Sequence, residues 1–257
     1  MRTIKEKKKM KKKLISVLLT LAVAGTMLAG CGSSKADDTK SEADSSTEKK
    51  DITIGVRADM VNQYAAVEDK LKELGYNVQS KVFDDSVQPD VALAEGSIDC
   101  NWYQHEPYLK SYNEKNGTNL VMVEPKTFYP LFAMYSDKWD SVDELPDGAT
   151  IGLCNDATNQ ARGLHLLESQ GLITLDASVE SPTMYDVKEN PHNFKFIEAE
   201  MSVLPQSIKD VDAICLAAGH MVNAGLSADG YLCQSDDNDT YAVGFAVRAE
   251  DKDAQWI

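Results

Sequence analysis

Cysteine is scarce in this chain: five residues in 257 are too few for a fold stapled by disulfides. Long apolar runs are missing too. The most apolar stretch, Leu14 to Ala24, is broken by Ser16 and Thr20 and falls well short of the roughly 20 residues a spanning helix needs. Positive charge is rare beyond the start. Eight of the 26 basic residues and one of the 41 acidic ones precede residue 31, so that segment holds +7 and the rest, 18 basic against 40 acidic, holds −22. A body that acidic is repelled by phosphate backbones, which excludes nucleic acid as a natural partner. Phosphate loops and serine nucleophile elbows are absent. His105, His165, His192 and His220 have no metal-ligand spacing to one another or to cysteine, so neither a metal nor a cofactor is expected. The hydrophobic content of 43% is enough for a globular core.

The first 30 residues read as an export signal: a basic segment to Lys13, a short apolar run, then small residues. They end Leu28-Ala29-Gly30-Cys31, which resembles the lipobox of bacterial lipoproteins. That resemblance implies cleavage before Cys31 and lipidation of its thiol. Each buried methylene of an acyl chain adds about 0.8 kcal/mol of membrane affinity, so two or three chains anchor stably. Residues 31–50 hold Ser, Lys, Asp, Glu, Thr and Ala with no large apolar side chain and read as a disordered tether.

From residue 51 the pattern alternates. Ile52 to Val56 is strand-like, Val61, Tyr64, Leu71 and Leu74 recur at helical spacing up to Gly75, and Val78 to Phe83 is strand-like again. Asp84-Asp85-Ser86 suits the start of a helix ending at Gly96, and Ile98 to Cys100 reads as a short strand. The series recurs: a strand over Thr150 to Cys154, a helix capped by Thr158 and running to Gly171, a strand over Phe194 to Ala199, a helix near Val203 to Ile208, and a strand over Val211 to Leu216. Such alternation predicts an α/β protein with parallel sheets and right-handed crossovers. The repeat predicts two lobes, 51–135 and 136–240, with 241–257 returning to the first and a ligand cleft between them. A single six-stranded doubly wound sheet is the other arrangement the pattern allows.

Two patches carry chemistry. Asn101 to Leu109 holds three aromatics and His105 just past the strand expected to end at Cys100, a wall that is apolar with polar handles. Trp102 and Tyr108 read as packing residues; Tyr103 and His105 read equally well as packing or binding. The second patch, Cys154 to Arg162, opens a helix, whose N–H groups favour anions. Arg162 is one of three arginines beyond the leader, with Arg57 and Arg248, and suits either a ligand carboxylate through two parallel bonds or a surface ion pair with one of the many acidic residues. A thiol nucleophile, Cys100 or Cys154 beside His105, is a remote alternative. A Cys215–Cys233 disulfide is conceivable after export.

Together these residues resemble the NlpA/MetQ lipoproteins, the methionine-binding components of ABC importers. The resemblance runs from Ile52 to Ile257 and is carried by Phe83 to Ala94, Tyr103-Gln104-His105, Pro107-Tyr108-Leu109, Leu145 to Ile151, Asn155-Asp156, Thr158-Asn159, Arg162, Ala224-Gly225-Leu226 and Arg248 to Asp253. It implies a periplasmic-binding-protein-like (type II) fold, a small zwitterionic ligand, an ABC permease as partner, the membrane through the lipid on Cys31, and no enzymatic activity. It assigns the ligand carboxylate to Arg162 and the ligand side chain to Tyr103 and His105, with Asn159 close by. Several positions depart from the family: Ala217 and Val243 stand where asparagine is usual, Ser86 where tyrosine is common, Leu131 where proline is favoured, and Arg57-Ala58-Asp59 in place of a Gly- and Pro-containing loop. These departures imply an altered ligand choice, or an interaction module with a degenerate pocket. The family also continues past Trp256-Ile257 with an amphipathic helix, which implies apolar surface in the present chain or a fragment.

Overall fold

Residue alternation and glycine stops build two series of strands and helices in the computed structural model, which describes residues 51–237 and 239–257. The leader, the tether and Cys31 lie outside the described residues. The first series is β1 (Asp51–Arg57), α1 (Val61–Glu73), β2 (Asn77–Phe83), α2 (Gln88–Ala94), β3 (Cys100–His105), α3 (Glu106–Asn116) and β4 (Val121–Met122). The second runs β5 (Phe132–Tyr135), β6 (Thr150–Cys154), α4 (Ala157–Ser169), β7 (Thr174–Leu175), β8 (Val187–Glu189), β9 (Lys195–Ala199), β10 (Ala213–Ala217), α5 (Ala218–Asn223) and β11 (Cys233–Gln234). A last strand, β12 (Val243–Val247), follows.

The strands form two five-stranded sheets, not one six-stranded sheet. The first has order β2-β1-β3-β12-β4 and the second β11-β5-β10-β6-β9; β7 and β8 form a small separate pair. β1 runs parallel to β2 and β3, and β6 parallel to β9 and β10, so the first sheet is built on a βαβαβ unit and the second on a similar one whose last crossover lacks an α-helix. The return strand β12 pairs antiparallel with β3 and β4. The boundary expected at residue 135 falls one strand late: Phe132–Tyr135 pairs with β10 and β11 in the second sheet, and burial of Phe132, Met134 and Tyr135 in that sheet's core fixes the choice.

Local chemistry sets the ends. α1 stops at Gly75, whose φ of 91° closes the turn. α3 begins with Pro107 in its first turn and ends at Gly117 in the left-handed region. α4 is capped by Asp156, which accepts from the Asn159 N–H at 2.9 Å, rather than by Thr158, whose hydroxyl donates to Asp156; a carboxylate also complements the helix dipole, which a hydroxyl does not. Pro205 sits in a short 3-10 turn, Leu204–Ser207, where a full helix was expected. Gly163 lets α4 lie close on its sheet, since a Cβ there would meet Leu153 at 3.0 Å and Cys215 at 3.3 Å. On the first sheet an apolar cavity of about 260 Å³ is lined by Ile54, Leu71, Val78, Phe245 and Trp256, among others.

Candidate functional site

The carboxyl ends of β1, β3 and β10 and the start of α4 meet at one cavity of about 260 Å³, lined from both sheets. Strand ends are where open α/β sheets bind ligands, because the crossover loops leave a crevice there. Tyr103, His105, Asn159 and Arg162 all line it.

Tyr103 and His105 do not follow a strand ending at Cys100; they belong to β3, which runs to His105. Opposite them the β12 register shifts between Gly244 and Phe245, leaving Tyr103 as the extra residue of a bulge. A bulge re-aims side chains, and here Asn101, Tyr103 and Gln104 converge on the fully buried Asp90. Asn101 Nδ2 and Gln104 Nε2 donate to Asp90 Oδ1 at 2.7 and 2.6 Å, and the Tyr103 hydroxyl lies 3.0 Å from Oδ2 and 2.7 Å from the Ser86 carbonyl. Burial outweighs these donors and pushes the Asp90 carboxyl up to about 6. Asp90→Asn keeps an acceptor for the two amides, and its new NH₂ can donate to the Tyr103 hydroxyl. A folded-state pKa raised from 3.8 means the charged form is penalised; the cost is absent below about pH 4 and grows as pH rises through 6. Urea unfolding is therefore expected to show Asp90→Asn matching the parent at pH 4 and exceeding it by about 2–3 kcal/mol at pH 7.5; equal stabilities at both pH values would refute the assignment.

His105 caps α3, its Nδ1 accepting from the Tyr108 N–H at 3.2 Å. Its Nε2 lies 3.1 Å from Asn159 Oδ1, so the proton sits on Nε2. Burial lowers its pKa to about 4, helped by the charges of Arg162 and Arg57, against the raising effect of the hydrogen bond it donates to Asn159 and of the Asp156 charge. Asn159 Nδ2 is held by Asp156 at 3.1 Å. Tyr108, read as packing, also lines the cavity and donates to the Ser86 carbonyl at 2.8 Å. Trp102 does pack: it stacks on Phe245 with centroids 5.2 Å apart.

Arg162 is 1% exposed and sits between the faces of Phe132 and Tyr241, at 4.6 and 4.2 Å. Its Nε donates to Asp237 Oδ1 at 3.0 Å. Nη2 approaches the same oxygen at 2.9 Å, but the angle gives no hydrogen bond and Nη2 is left unpartnered. Nη2 carries two of the five N–H donors of a guanidinium, and no acceptor among the described residues takes them.

Arg57, Asp59 and Ser86, departures from the family pattern expected at pocket positions, all line the cavity. Arg57 Nε and Nη2 grip Asp59 Oδ1 and Oδ2 at 2.7 and 2.9 Å, and Nη1 donates to Ser86 Oγ at 2.9 Å. Nη2 also reaches His220 Nε2 of α5 at 2.6 Å, and Ser86 Oγ donates to Glu200 at 2.7 Å. These bonds tie the first sheet to the second. Ala217, Leu131 and Val243 line the cavity as well, but leave it open; Leu216 lies in the core.

Two of the cysteine alternatives fail, the Cys215–Cys233 bridge and a Cys154 nucleophile. Cys154, Cys215 and Cys233 are buried free thiols, so no Cys215–Cys233 bridge exists. Burial pushes Cys154 far above the range of a reactive thiolate.

The chain matches the family model described as NlpA lipoprotein over residues 52–257. It is 40% identical over 206 residues to a probable D-methionine-binding lipoprotein MetQ of Vibrio cholerae, covering 79% of this chain and 72% of that one. It is 33% identical over 252 residues to the methionine-binding lipoprotein MetQ of Bacillus subtilis, covering 96% and 89%. Its fold superposes on a nutrient-binding protein of Burkholderia cenocepacia bound to methionine with a TM-score of 0.75 at 34% identity, covering 80% and 88%. The chain therefore belongs to the NlpA lipoprotein family: a lipid-anchored solute-binding component of an ABC importer at the extracytoplasmic membrane face.

Proposed function

We propose that this protein captures a free amino acid, methionine or a related small zwitterion or dipeptide, in a cleft between two lobes carried by its two sheets. The lobes would follow a type II periplasmic-binding-protein arrangement, close over the ligand by a hinge motion, and present it to an ABC permease, with the lipid on Cys31 holding the protein at the membrane. One observation carries the reading: a buried guanidinium, Arg162, whose Nη2 has no hydrogen-bond partner. Unpaired buried donors cost about 1–3 kcal/mol each, more when charged, and a ligand carboxylate would satisfy two at once in the fork geometry of arginine. Asn159, His105 and Tyr103 border the same space. The methionine named for the relatives and held by the solved neighbour supports an amino acid as the ligand.

Mass spectrometry of small molecules released from the full-length, detergent-purified chain tests this. One α-amino acid or dipeptide per protein is expected; an empty extract, together with no thermal shift from any amino acid, would overturn it. The cavity histidine should stay neutral throughout, because its pKa lies near 4. Calorimetric affinity is therefore expected to vary less than about twofold between pH 8 and 6. A tenfold change across that window would mean that a charged imidazole takes part.

A further inference from the structure

The cavity holds two arginines, and they are anchored differently. Arg162 shares Asp237 and two aromatic faces at the second sheet, whereas Arg57 is set at the end of β1 among Asp59, Ser86 and His220. They share no partner, yet the charges of both press on His105, which lies in the wall they have in common. A ligand fixed by its carboxylate at Arg162 would therefore turn its side chain toward Arg57.

That end of the cavity is polar and rigid. Arg57, Asp59, Gln63 and Ser86 all line it. Asp59 takes Nε and Nη2 of Arg57, and His220 also meets Nη2. Because Ser86 Oγ spends its proton on Glu200, it acts as an acceptor toward Arg57. Nη1 carries two N–H groups, and Ser86 is its one hydrogen-bond partner among the described residues. One donor is thus left over on a guanidinium that its other bonds hold in place. A thioether or alkyl side chain closing over this end would strip water from Nη1 without replacing its bond. A side chain ending in an oxygen acceptor would replace it. Sites built to hydrogen-bond a ligand group reject analogues lacking that group far more strongly than apolar pockets discriminate by size.

We infer that the site prefers amino acids with a carboxylate or carboxamide side chain over thioether or alkyl ones of matching length, and that Arg57 is the residue that sets this preference. The inference rests on the reading of the cavity as an amino-acid site anchored at Arg162.

Calorimetry on the full-length chain with L-glutamine, L-glutamate, L-methionine and L-norleucine tests it. The better of the first two is expected to bind at least tenfold more tightly than either of the last two. The paired variant Arg57→Met with Asp59→Asn removes both charges together and so strands neither; unfolding curves would verify that it is folded. In it the preference is expected to fall at least tenfold. Methionine or norleucine binding as tightly as the oxygen-bearing ligands to the parent would overturn the inference, and so would an unchanged preference in the paired variant. In either case the amino-acid site itself would stand. If none of the four binds, the inference falls, while the amino-acid reading is decided separately by the small molecules the protein releases.

Discussion

Replacing Arg162 with methionine is expected to weaken amino-acid binding at least a hundredfold while leaving the ligand-free protein no less stable. The two halves of this result have one cause. In the ligand-free protein the guanidinium is 1% exposed, lies between Phe132 and Tyr241, and spends one hydrogen bond on Asp237. Burial drives its pKa down against the raising effect of Asp237, a sign that the folded protein pays to keep the charge there. Methionine fills a similar volume between the two rings and carries no orphaned donor. Asp237 is partly exposed, at 30% of its side chain, so water can take over its solvation. Exchanging a buried ionic group for a packed apolar one is often neutral or stabilising, and unfolding in urea should show a change within about 1 kcal/mol or a gain. Binding behaves oppositely. Two charge-assisted bonds at about 1.5–3 kcal/mol each give at least 3 kcal/mol, or a hundredfold at about 1.4 kcal/mol per tenfold. Arg162→Lys keeps the charge but loses the fork, so it should recover only part of the affinity. Destabilisation by 3 kcal/mol or more with affinity retained would make Arg162 a structural residue and remove the anchor from the proposed site.

Arg162 was legible in the sequence because two local signals coincided: arginine is rare beyond the leader, and this one sits just inside a helix that follows a strand, where a cation is disfavoured. The elements were legible for the same kind of reason. β1, β2 and β6 follow apolar patterning, and Gly75 and Gly171 mark helix stops in the left-handed region. β3 was cut short because Asn101 and Gln104 look like loop residues; they are tolerated in a buried strand only because Asp90, ten or more positions earlier, accepts from both. Arg57 was legible as a departure at a pocket position, but its bonding was not, for a related reason. Beside Asp59 it has the look of a surface ion pair, and its other partners, Ser86 and His220, lie 29 and 163 positions away. Patterning reports what neighbouring residues prefer. It does not report which distant groups will be brought together to satisfy a buried charge, and the cavity is made largely of such groups.

The Arg57–Asp59 pair should show that dependence directly. Arg57→Met alone is expected to destabilise the protein by about 3–5 kcal/mol, whereas Arg57→Met combined with Asp59→Asn should cost much less. The single change strands a carboxylate whose side chain is 8% exposed, with His220 at 3.5 Å, and burial disfavours a charged imidazole there, so His220 compensates only in part. In the parent, burial alone would raise the Asp59 carboxyl, but the charge and two hydrogen bonds of Arg57 bring it down to about 2. A pKa depressed on folding contributes stability that is complete above the unfolded value near 3.8 and lost as pH falls toward 2; about two units correspond to about 2–3 kcal/mol. The paired variant lacks that contribution at every pH, so its stability should fall less steeply than the parent's between pH 4 and pH 2. The double-mutant cycle at pH 7 isolates the coupling, because both residues touch each other and share His220. A coupling energy of 2 kcal/mol or more, shrinking as the pH approaches 2, is expected. Additive effects at pH 7 would mean that Arg57 is held by Ser86 and His220 alone, and that Asp59 is a bystander in the wall of the cavity.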